Sequence, residues 1–158
     1  MLNLNYWRSP GTGDWTIFVR ILLAGIFVFE GIQKLIHPDK LGTGRFERIG
    51  IPYAELMGPF VGWVELICGL MLLFGFFARA AAVPIIIIMI VAILTTKVPV
   101  WMGEDWGMFK VRKLDTYGFW SMMHEIRNDW AMFFGAWFVL LSGAGRWSID
   151  AVMARNRD

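Results

Sequence analysis

The chain has 158 residues, of which 57% are hydrophobic and only 18% charged, with a formal net charge of +2. A soluble domain of this length is usually about half apolar and a quarter charged, so the excess points to an integral membrane protein. The small net charge and the lack of a basic stripe argue against nucleic acid as a partner. One cysteine, Cys68, excludes an intrachain disulfide and a CxxC redox pair and reads as a small core residue.

The N-terminus, MLNLNYWRSPGTGDW, has no charged segment leading into a short apolar one, so a cleaved signal peptide is not expected. A spanning helix needs about 20 mainly apolar residues. The first such run is 15–36, which carries Arg20, Glu30 and Lys34 and stops at His37-Pro38. Segment 41–49, with Leu41, Phe46 and Ile49 among Lys40, Arg45 and Arg48, reads as a short interfacial helix. The second run, 57–78, contains Glu65. Arg79 breaks it, and the third run, 80–96, follows at once, closed by Lys97 and Pro99. The fourth apolar run becomes long enough only if its helix starts near Ser121, giving a span over 121–142 with His124 and Glu125 on its first turns. Beyond Gly143-Ala-Gly-Arg, Ser148 is placed to cap an amphipathic tail over 146–158 with Asp150 in its first turn.

The expected fold is therefore all-α: one membrane domain over 1–158, an antiparallel bundle of four spanning helices with short interfacial helices. Both termini lie on one face (side A), and loops 38–56 and 97–120 lie on the other (side B). Counting Lys and Arg gives six on side A and nine on side B. Read literally, that count puts side B in the cytoplasm.

Charge at bilayer depth is costly, about 2.5–3.5 kcal/mol on insertion scales, so intramembrane acids mark candidate sites. Glu30 and Glu65 should both sit roughly 9–12 Å inside the side-B boundary at 1.5 Å per residue. Lys34 follows Glu30 at i,i+4, the better order for an ion pair. Either the pair neutralises itself and holds the register of the bundle, or Glu30, Lys34, Glu65, His124 and Glu125 form a polar pocket for a quinone head group, a proton path or a lipid. Glu65 has no partner close in sequence, which leaves it for proton transfer or for pairing with Lys34 or Arg20 across helices. Side A looks apolar apart from Arg20. A bis-histidine haem on His37 and His124 is the weaker reading beside plain interfacial histidines, and neither a metal-ligand set nor a covalently bound cofactor is expected. Loop 98–123 is dense in Trp and Met, including Trp101, Trp106, Trp120, Met102 and Met108. A headgroup-level aromatic belt accounts for it, and contact with other membrane or peripheral subunits is the alternative.

Taken together, these residues resemble the DoxX family of small four-helix membrane proteins. The resemblance rests on Arg20 to Leu35 (RILLAGIFVFEGIQKL), Gly50-Ile51-Pro52, Glu65-Leu-Ile-Cys-Gly-Leu, Leu73-Phe-Gly-Phe-Phe-Ala-Arg-Ala-Ala and Gly143-Ala-Gly-Arg-Trp-Ser-Ile-Asp150, in that order. Gly31, Lys34, Glu65, Gly69, Arg79, Gly145, Ser148 and Asp150 fall on its recurrent positions. It implies a prokaryotic plasma-membrane protein with cytoplasmic termini, against the Lys/Arg count, placed near respiratory or thiol-oxidation chemistry and quinones. The expected function is a membrane subunit of a quinone-linked oxidoreductase; the alternative is a non-catalytic assembly or structural subunit.

Overall fold

The computed structural model describes Trp7, Gly11 and residues 13–156. Arg8 and Arg157 of the charge count, and the last two residues of the expected tail, lie outside them. The described residues form helices and no named strand: α1 (Thr16–Ile36), α2 (Pro38–Leu41), α3 (Thr43–Ile49), α4 (Ala54–Phe74), α5 (Ala78–Met102), α6 (Phe119–Ser142) and α7 (Ile149–Arg155). Of these, α1, α4 and α5 are long and apolar enough to cross a membrane.

Several boundaries depart from the sequence expectation. The second long helix is shifted towards the N-terminus, 54–74 instead of 57–78, because Gly75 takes a left-handed conformation and caps it. Arg79 does not separate two helices but sits on the first turn of α5. That helix does not end at Thr96: it runs through Pro99 to Met102 and is closed by left-handed Gly103. Proline costs a helix one hydrogen bond and a steric clash. At Pro99 that cost does not break the helix, and Gly103 N–H still donates to Pro99 O. The interfacial segment splits at Gly42 into α2 and α3.

The long helices pair as α1 with α4 and α5 with α6, and α4 against α5 joins the pairs. Lipid is as apolar as leucine, so close packing of small residues drives such contacts. On α1, Leu23, Ala24, Phe27, Gly31 and Lys34 make one buried stripe; on α4 its counterpart runs Gly58, Gly62, Glu65, Cys68, Gly69 and Leu72. A Cβ on Gly31 would lie 2.6 Å from Leu66 N, and one on Gly69 2.8 Å from Val28 N, so these glycines let the two backbones touch. Alanines 78, 81 and 82 play the same part on α5. Large apolar residues such as Phe18, Phe29, Trp63 and Ile87 are left on the outside, where lipid can cover them.

Candidate functional site

Close contact of α1 with α4 decides where the polar groups go. Lys34 and Glu65 both lie on the buried stripes, 7% and 4% exposed. Glu30 lies one position off the stripe, and its side chain is 44% exposed. Lys34 Nζ therefore reaches both acids: it donates a hydrogen bond to Glu30 Oε2 at 3.0 Å and stands 2.7 Å from Glu65 Oε2. The second contact is an ion contact without hydrogen-bond alignment, and among the described residues no donor is aligned on that buried oxygen. Two carboxylates share one ammonium, so the group carries one negative charge unless it holds a proton. One acid is enclosed and the other opens outward, an arrangement able to pass a proton between the interior and the edge of the bundle.

His124 and Glu125 are placed elsewhere. Glu125 Oε2 accepts from Arg112 Nη2 at 2.5 Å, tying the start of α6 to the loop before it. His124 is exposed, and its carbonyl accepts from Arg127 Nη1. Among the described residues no hydrogen bond or ion pair joins either one to Lys34 or Glu65. His37, exposed at the end of α1, lies on a different element from His124. No group of three His, Cys, Asp or Glu side chains able to hold a metal occurs among the described residues.

A second ion pair was not visible in the sequence. Lys97 Nζ on α5 lies 3.1 Å from Asp129 Oδ2 on α6, with both side chains mostly buried (13% and 14% exposed). Lys97 reads as a terminator and Asp129 as the residue before the apolar run; continuing α5 past Pro99 would have brought both inside. Each helix pair thus carries one lysine–carboxylate bridge.

The side-A end overturns the expectation of an apolar half, and of the two cross-helix partners open to Glu65 it is Lys34, not Arg20, that meets it. Arg20, 1% exposed, points away from Glu65 and donates to Leu72 O (2.8 Å), Leu73 O (2.9 Å), Ala144 O (2.7 Å) and Trp147 O (2.8 Å). These carbonyls belong to the last turn of α4 and the turn after α6, where a helix leaves acceptors unpaired. Arg79 does the same for α6, donating to Leu140 O and Leu141 O. Asp150 accepts from Phe77 N (2.9 Å) and Ala78 N (3.2 Å), which caps α5 and holds Phe77 at φ +47°. Ser148 Oγ accepts from Ala151 N and caps α7, as its position in the sequence suggested. Arg20, Arg79, Ser148 and Asp150 are thus one lock on four helix ends.

The DoxX family profile matches residues 16–98, just over half of the chain. A Mycobacterium tuberculosis (strain ATCC 25618 / H37Rv) protein named Uncharacterized membrane protein Rv3486 is 45% identical over 140 residues, covering 89% of this chain and 82% of that one. No solved structure matches.

Proposed function

The chain belongs to the DoxX family, and we propose that it is a multi-pass subunit of the prokaryotic plasma membrane whose Glu30–Lys34–Glu65 group handles protons for a quinone-linked oxidoreductase. The observation that carries this reading is the buried Glu65 oxygen with no aligned donor, beside an ammonium shared with a half-exposed Glu30. A quinol hydroxyl could donate its proton at half-exposed Glu30, and the ammonium and enclosed Glu65 behind it could share that proton. The redox centre that exchanges electrons with the quinone then belongs to a partner subunit.

On this reading α6 is the fourth crossing and both termini are cytoplasmic. In support, α6 has 24 residues, packs along α5, and has Asp129 neutralised by Lys97. A second reading, a non-catalytic assembly subunit, is favoured by one observation. Backbone contact at Gly31 and Gly62 leaves little space on the α4 side of Lys34, so the ion group could serve only to fix register. Exposed Trp101, Trp106, Met108 and Trp120 would then face the partner.

Quinone extraction from protein purified out of native membranes separates the two. The first reading expects bound quinone in the wild type, and its loss, with loss of complex activity, in a folded Glu65→Gln variant. Full activity in Glu65→Gln, with no quinone in the wild type, would leave the assembly role.

A further inference from the structure

At the side-A end, far along the bundle from Lys34, a groove of about 450 Å³ opens between α1, the end of α4 and α7. Its walls are apolar, and Ile21, Phe74, Ile149 and Val152 are all at least 41% exposed there. Its floor is Arg20, four of whose five N–H groups already bond carbonyls. The remaining lining carries positive charge with donors to spare. Among the described residues Arg146 has only a loose, exposed ion pair with Asp14 at 3.5 Å. Arg155 has no ion-pair partner among the described residues. Trp147, 67% exposed, lines the groove with them, and tryptophan is the side chain enriched where a membrane meets its headgroups.

We propose that this groove seats one anionic glycerophospholipid, its phosphate held between Arg146 and Arg155 and one acyl chain lying along Ile21 and Phe74. Charge complementarity selects an anion, and the apolar wall selects a lipid over a free anion. Ile149 and Val152, three residues apart, put an apolar face of α7 outward while Asp150 and Ala151 stay buried, as suits a helix lying in the interface. Arg20 also holds Trp147 O, so a lipid seated here braces the same turn that locks the helix ends. This inference is independent of the proton-handling reading.

The test uses the full chain in nanodiscs of phosphatidylcholine alone or mixed with phosphatidylglycerol, read by melting temperature and by native mass spectrometry of retained lipid. Phosphatidylglycerol should raise Tm by several degrees and be retained preferentially. Arg146→Gln/Arg155→Gln should abolish that increment without changing Tm in phosphatidylcholine, because both side chains are exposed. Affinity for phosphatidylglycerol should fall roughly 30-fold, each basic contact being worth about fivefold near an anionic surface. Retention of the increment by the double variant would overturn the proposal. So would a wild type with no preference for phosphatidylglycerol, or an equal increment from inorganic phosphate in phosphatidylcholine discs.

Discussion

Replacing Lys34 with methionine removes one ammonium that two carboxylates share, and the consequences for the two are unequal. Glu65, 4% exposed, loses the ammonium 2.7 Å away and stays buried, whereas Glu30, its side chain 44% exposed, is the less enclosed of the two. Breaking a buried pair by removing one partner costs about 3–5 kcal/mol. In a chain of this size each kcal/mol moves Tm by roughly 2–4 °C, so Lys34→Met should lower it by about 10 °C. Glu30→Gln leaves the 2.7 Å contact of Lys34 with Glu65 intact and removes the excess carboxylate, so it should cost well under the loss for Lys34→Met. Glu65→Gln falls between, because Lys34 keeps Glu30 at 3.0 Å. The double change Lys34→Met/Glu65→Met removes the enclosed pair together and should recover most of the loss, since apolar replacement of a buried pair is often neutral. The assay is thermal unfolding in detergent, followed by tryptophan fluorescence. The reasoning fails if Lys34→Met melts within about 2 °C of Glu30→Gln, or if the double variant is less stable than Lys34→Met alone.

Arg20→Met strips four buried or part-buried carbonyls of a charged donor, each bond worth about 1.5–3 kcal/mol, which consumes most of a typical folding margin. It should yield no monodisperse protein by size exclusion, and a monodisperse variant melting near the wild type would refute the lock. Asp129→Asn leaves Lys97 mostly buried without its acid and should lower Tm more than Glu30→Gln does, with recovery in Lys97→Met/Asp129→Leu; equal effects of the two single changes would argue against it. Outside the spans, the hydrogen bond from Lys110, helped by the Val111 amide, holds the Asp105 carboxyl below its ordinary 3.8. A lowered carboxyl contributes stability above its ordinary value and loses it as pH falls through the lowered one. The protection factor of the Val111 amide, its exchange rate corrected for the intrinsic pH dependence, should therefore hold down to about pH 4 and fall only below it, and a factor already falling near pH 6 would refute this assignment.

The three most apolar helices were legible because a run of about 20 apolar residues has few fates other than a span. Their ends were less so. Gly75 and Gly103 act through left-handed backbone, and Pro99 remains helical, none of which hydrophobicity reports. Lys34 with Glu30 was readable as an i,i+4 pair. Its second partner, Glu65, was one option among cross-helix pairings, decided only by the approach of α1 to α4 at Gly31 and Gly62. Arg20 was misread because its partners are backbone carbonyls, which have no residue signature, drawn from as far away as Trp147. Asp129 was missed because it precedes the apolar stretch of α6, and its burial depends on α5 extending past Lys97.

The two ends of the bundle divide the polar residues by task. On side A the buried charges are spent on backbone: Arg20 and Arg79 satisfy carbonyls of α4 and α6, and Asp150 satisfies amides of α5. These groups hold helix ends together through more than one backbone hydrogen bond each. On side B the charges meet other charges, at Lys34 with its two acids and at Lys97 with Asp129. Only the first of these pairings has an excess acid and an enclosed oxygen without an aligned donor. On the proposed reading, chemistry that needs a mobile proton belongs with Glu65, while Arg20, also buried, belongs to the scaffold at the other end of α1 and α4.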